Sequence, residues 1–260
     1  MLFILAPSKT MDFDPVDLQG LQPTTPEFQA EAETIVAAVK ATKDIAPVMH
    51  ISAVLADATR KKYDHWGEKM QPAIYAYVGD VYKGFYARTL TRDDVQWAQE
   101  HLRIMSGVYG LLRPLDEISQ YRLEMKARLP VTGKKDIYDF WGDKLAKKAD
   151  AETDDGIICV LSSDEYARPV TKFTKSRLIT PVFFDNKPNG QVGTVPIYSK
   201  MMRGVMARWV IDHRAKTPED LQRFEGQGYR YDASRSTPDH PAFYREHPAP
   251  IEYEKRMATS

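Results

Sequence analysis

Apolar residues follow two rhythms along this chain. Residues 2–6 form a short unbroken apolar run ended by Pro7, the length of a buried strand and too short for a helix, with the polar turn Ser8-Lys9-Thr10 at its end. Helical spacing comes next: Thr25-Pro26-Glu27 offers an N-cap, a first-turn proline and an acid beside the helix dipole, which predicts a helix reaching about Ala41. Further helices are predicted over about 46–56 and 92–103, the latter opened by Thr91 with Asp94 three residues on as a capping box. In the second half, residues 156–162, 178–184 and 192–198 are β-branched and apolar and read as strands, with Asn189-Gly190 as a hairpin turn between the last two. Residues 200–214 return to helical spacing, with Met201, Met202, Val205, Met206, Trp209 and Val210 on one face; from about Gly226 the chain reads as polar and loop-like. With no internal repeat or linker, the pattern predicts one mixed α/β (α+β) domain over 1–260, a central mixed sheet surrounded by helices, and a polar C-terminal extension over 233–260.

Composition narrows the function classes. The chain has 260 residues, 43% hydrophobic and 28% charged, with formal net charge +0, so it is not a strongly basic protein whose partner follows from total charge. Its charges are nevertheless segregated. Residues 11–39 carry six acids and no Lys or Arg, whereas residues 166–216 carry ten cations against Asp185 and Asp212 alone. Cys159 is the only cysteine, which excludes an internal disulfide and a multi-thiolate metal site. The histidines have no metal-ligand spacing, so neither a metal nor a cofactor is expected. No run approaches the ~18 apolar residues of a membrane helix and no basic leader is seen, so a cytoplasmic protein is expected.

Four stretches carry candidate chemistry. On the helix over 200–214, Lys200, Arg203 and Arg214 project into one sector with Ala207, and Gly204 lies beside them, a stripe that would let a phosphate approach the backbone; an ordinary amphipathic helix with a cationic polar face is the plainer reading. Ser106 to Met125 reads SGVYGLLRPLDEISQYRLEM, with Gly107 and Gly110 flanking Val108-Tyr109. That spacing allows a helix-hairpin-helix-like element whose free amides face a phosphate with Arg113, or a loop at a strand's carboxyl edge; equally, Arg113 pairs with Asp116 and Arg122 with Glu124 or Glu117 as structural links. Ala6-Pro-Ser-Lys-Thr10 places a lysine and two hydroxyls after the first strand but lacks the glycines of a nucleotide-binding P-loop. The carboxylates of Ser162-Ser163-Asp164-Glu165-Tyr166 suit acid/base work or a cap, without a nucleophile elbow around them.

With the ordered set APSKTMDF, GDVYKGF, MSGVYGLLRPLD, YRLEM, YDFWGDKL, SSDEYARPV, YSKMMRGVMARWVI and FEGQGYRYD, the chain resembles the YaaA peroxide-stress family from Met1 to about Asp232. It departs from that family's pattern at Ala6, Gln120 and Val160. The resemblance implies a cytosolic bacterial protein of the hydrogen-peroxide response that limits oxidative DNA damage, keeps free iron low and binds duplex or branched DNA in a basic cleft. Carried over by motif, Lys9, Lys83, Arg113, Arg122, Lys200 and Arg203 are the cations placed along that cleft, and a monomer is expected. The rival expectation is an enzyme acting on a nucleotide or another phosphorylated small molecule through Ser8, Lys9, Asp80, Arg113, Tyr121 and Glu124.

Overall fold

The computed structural model describes residues 1–187 and 190–246. The chain opens with β1 (Leu2–Leu5), buried throughout, as a strand must be when a parallel sheet is covered on both faces. Helices α1 (Gln29–Ala41), α2 (Ala46–Met49) and α3 (Ala53–Asp64) follow. The single helix expected over 46–56 is two, because His50 turns left-handed at φ 54° and Ser52 caps α3 by accepting the Leu55 N–H. Next come β2 (Met70–Pro72), α4 (Ala73–Ala76), α5 (Asp80–Phe85) and α6 (Arg92–His101), the last opened by the expected Thr91–Asp94 capping box. Then β3 (Leu102–Ser106), β4 (Gly110–Leu112), β5 (Glu117–Ser119), α7 (Ile137–Trp141), α8 (Lys144–Glu152), β6 (Ile157–Leu161) and α9 (Asp164–Thr171) complete most of the first layer system.

Two prolines rewrite the strands expected after α9. The run over 178–184 is cut at Pro181, which offers no N–H to a ladder, into β7 (Arg177–Ile179) and β8 (Val182–Asn186), and these join different sheets. The run over 192–198 yields only β9 (Val192–Gly193), since Pro196 opens α10 (Pro196–His213) in its first turn. Of the expected hairpin turn, Asn189 lies outside the described residues, while β8 and β9 do pair antiparallel. After α11 (Pro218–Leu221), the stretch expected to be loop-like contains β10 (Glu225–Gly226), β11 (Tyr229–Tyr231) and β12 (Ala242–Arg245). Its polar look misleads because Arg245 is buried: its guanidinium bonds Asp185 at 2.7 Å and stacks on Tyr198 and Tyr229, while the Tyr229 hydroxyl donates to Asp185 at 2.6 Å.

The central mixed sheet has strand order β4-β3-β1-β6-β7, with β1, β3, β6 and β7 parallel and β4 antiparallel at the edge. Leu5 sits opposite both Ile104 and Leu161, so the three inner strands reach their carboxyl ends at one level. A second sheet has the order β10-β11-β12-β8-β9. Between the sheets, α10 lies directly on α5 because two glycines permit it. A Cβ on Gly204 would stand 1.7 Å from the Val81 carbonyl oxygen, and one on Gly84 would stand 2.7 Å from that of Met201. Backbone against backbone, this contact sets where the α10 cations stand relative to the end of β1. Among the described residues, no helix is long and apolar enough to cross a membrane.

Candidate anion-binding site

From the centre of the sheet, β1 leads on to β3 on one side and β6 leads on to β7 on the other. Connections that leave adjacent strands in opposite directions open a crevice at their carboxyl ends, where α/β proteins hold ligands. Here the crevice is a cleft of about 430 Å³. Residues 6–10 after β1 form its floor, Ser163, Glu165 and Tyr166 after β6 form one wall, and Gly79 and Asp80 with Lys200 and Arg203 form the other. Gly79 has a steric reason: a Cβ there would lie 2.2 Å from the Ser8 hydroxyl oxygen, which accepts the Thr10 N–H at 3.0 Å.

The cations differ in how far their charge is already neutralised. Lys9 Nζ lies 3.0 Å from Glu124 Oε1, and an Arg122 NH2 group reaches the same oxygen at 2.9 Å. Lys200 is exposed and Arg203 half-buried, and among the described residues neither side chain has an ion pair or hydrogen bond. Burial pulls the Arg203 guanidinium below its usual pKa, with the Asp164 charge opposing the shift. A desolvated, unpaired guanidinium is the group in this cleft with most to gain from an anion. Beneath the floor, the Tyr121 hydroxyl stands 2.6 Å from that of Tyr77 and 2.7 Å from that of Ser106, and burial pushes the Tyr121 phenol up to about 12. Tyr166 is likewise pushed up by burial, so both phenols stay protonated at neutral pH.

Four of the six expected cations, Lys9, Arg122, Lys200 and Arg203, therefore surround one cleft and the recess behind it. Arg113 does not join them. β4 runs back against β3, with Ser106 opposite Gly110 and Ile104 opposite Leu112, so the chain has returned toward the amino ends of the strands when it reaches Arg113. There Arg113 binds Asp116 at 3.1 Å and the Thr25 carbonyl at 3.3 Å. Lys83, a turn beyond Asp80 on α5, faces a separate hollow of about 210 Å³ with Tyr75, Tyr82 and Tyr86. Of the rival set, Ser8, Lys9, Asp80, Tyr121 and Glu124 border the cleft or recess.

Two expected phosphate-binding devices have other uses. Gly107 and Gly110 belong to a β-hairpin whose Val108 and Tyr109 amides donate to Ser106 Oγ at 3.2 and 2.9 Å, so they are not free for a ligand. Gly107 packs on the Leu123 carbonyl, and Gly110, at φ +72°, packs on Trp141. On α10, Gly204 is buried against α5 and Ala207 is buried as well, so neither is open, and Arg214 at the far end pairs with Asp94 at 2.7 Å. Tyr166 and Gly79 were not singled out by sequence reasoning as parts of the cleft; the signal for Gly79 is its place just before Asp80 in GDVYKGF. Among the described residues, no group of three or more His, Cys, Asp or Glu side chains could hold a metal ion.

Residues 1–235 match the family described as "Peroxide stress protein YaaA". The chain belongs to this family. It is also 40% identical over 257 residues to a UPF0246 protein of Shewanella oneidensis, covering 95% of this chain and 99% of that relative. A UPF0246 protein of Ralstonia nicotianae is 38% identical over 257 residues, with 95% and 99% covered, and one of Maricaulis maris is 38% identical over 258 residues, with 96% and 97% covered. Every residue of the cleft falls inside the matched YaaA span, whereas β12 lies beyond it.

Proposed function

We propose that this YaaA family member binds the sugar-phosphate backbone of DNA through the cleft, without sequence preference, and so helps limit iron-dependent oxidative damage to DNA during peroxide stress. The observation that supports this most directly is the pairing of Lys200 with the desolvated, unpartnered Arg203 beside Lys9. Lys83, a turn beyond Asp80 on α5, is exposed at the separate hollow and would be a further cation for a ligand longer than one phosphate. Affinity then falls with salt by about 0.9 log unit per log unit of salt for each phosphate contacted on B-DNA. Fluorescence anisotropy with two unrelated duplexes and one branched junction tests the reading. Lys200→Glu with Arg203→Glu weakens all three alike, and undiminished binding by that variant at physiological salt removes the cleft from the DNA site.

A second reading has its own support. The cleft sits at strand carboxyl ends, falls within the roughly 300–1,000 Å³ of small-molecule sites, and carries Asp80 and Glu165 among its cations. Plain backbone binding has no use for those acids, so a phosphorylated small molecule is the alternative ligand. A thermal-shift screen separates the two: stabilisation by a micromolar mononucleotide favours the small molecule, and shifts with polymeric DNA alone favour the binder.

A further inference from the structure

Behind the cleft floor lies a recess lined by Ser8, Lys9, Tyr121, Arg122, Glu124 and Tyr166, and it shares Ser8, Lys9 and Tyr166 with the cleft. At about 10 Å³ it accommodates a single water-sized group. Two of its polar atoms are left over. Glu124, 3% exposed, spends Oε1 on Lys9 and Arg122, while its Oε2 has no partner; Arg122 Nε has none either. A buried carboxylate oxygen and a buried guanidinium N–H are each costly to leave unmade, so an acceptor and a donor left over on two residues that line one small recess call for a group that satisfies both.

We infer that the recess takes a hydroxyl group of a small phosphomonoester whose phosphate rests on Lys200 and Arg203. A hydroxyl donates to Glu124 Oε2 and accepts from Arg122 Nε at once, which an ammonium cannot do. At about 10 Å³ the recess is too small for the phosphate itself, so the ligand has one orientation: anion outward, hydroxyl inward. Without ligand, a water molecule makes the same two bonds, and a ligand hydroxyl replaces it without loss because it reproduces them. The interior of a DNA strand has phosphodiesters and no free hydroxyl on its deoxyribose, so this selectivity separates small sugar or polyol phosphates from the polymer. The inference rests on the reading of the cleft as a phosphate site.

Isothermal titration of the full chain with inorganic phosphate, methyl phosphate, glycerol 3-phosphate and ribose 5-phosphate tests it. The expected result is that at least one hydroxyl-bearing phosphate binds about tenfold more tightly than methyl phosphate. Glu124→Gln, which puts an amide donor against the Arg122 donor, removes most of that difference, read as the ratio of the hydroxyl-bearing ligand's affinity to that of methyl phosphate within the variant. Should that variant fail to fold, the wild-type comparison decides alone. Equal affinity for methyl phosphate and both hydroxyl-bearing ligands overturns the inference and leaves the recess to water. Absence of binding by every phosphate overturns the anion reading of the cleft as well, so the two failures are distinct.

Discussion

Lys9 and Glu124 meet at 3.0 Å on the cleft floor, a half-exposed ammonium against a carboxylate whose side chain is only 4% exposed. The asymmetry decides what each contributes. Glu124 also carries Arg122, so Glu124→Ala strands two cations, one of them largely buried, and is expected to cost on the order of 3 kcal/mol. Lys9→Ala leaves the Arg122 pair intact and should cost under about 1 kcal/mol, as exposed pairs do. Urea denaturation of the two variants checks this, and equal losses would contradict it.

Gly204→Ala reverses the usual helix rule. On an open helix face alanine is favoured over glycine by about 1 kcal/mol. Here the added carbon would stand 1.7 Å from the Val81 carbonyl oxygen, so α10 must back away from α5. A net loss of about 2–3 kcal/mol is expected, with a lower melting temperature and weaker binding of any anion held by Lys200 and Arg203. A stabilised variant would show that the two helices separate easily.

Acid should release the anchor between α8 and β7. Burial acts to raise the Asp150 carboxyl, but hydrogen bonds from the Thr174 hydroxyl, from the Lys175 amide at 3.0 Å and from the Ser176 hydroxyl at 2.7 Å outweigh it and hold the group below the usual carboxylate value. A pKa depressed by folding means stabilisation fully present above the unfolded value of about 3.9 and lost as pH falls through the folded value. Asp150→Asn is therefore expected to lose about 1 kcal/mol at neutral pH and to converge with wild type in strong acid. Melting curves across pH check it; a gap that persists unchanged into acid would contradict it.

Cys159 should take no part in sensing peroxide. It is fully buried in β6, and burial pushes its thiol well up, while oxidation needs an accessible thiolate. Native protein treated with peroxide should keep Cys159 reduced by mass spectrometry, with thiol reagents reacting only after denaturation. Labelling at the rate of a free thiol would refute this.

What was legible in the sequence was local. The Thr91–Asp94 box and the apolar run of β6 carry their own chemistry in consecutive residues, and both appear where expected. Pro181 and Pro196 were visible too, yet the apolar residues around them match either strand or helix until the proline's missing N–H is weighed. The cleft is another matter, because Lys9, Glu124, Tyr166 and Arg203 come together only through the order of β1 and β6 in the sheet and the α5–α10 contact. Arg113 looked equivalent to Arg122 in a motif, but a hairpin at Gly107 and Gly110 sends it to the opposite edge, and that reversal depends on how Trp141 and Leu145 fill the space beside Gly110.

The glycine seam between α5 and α10 has a mechanical meaning. With no side chain cushioning Gly204 against Val81, the two helices meet backbone to backbone, and there is no compressible layer between them. Asp80 and Lys83 stand on one of these helices and Lys200 and Arg203 on the other, so the width of the seam fixes the span between the acid and the cations that share one wall of the cleft.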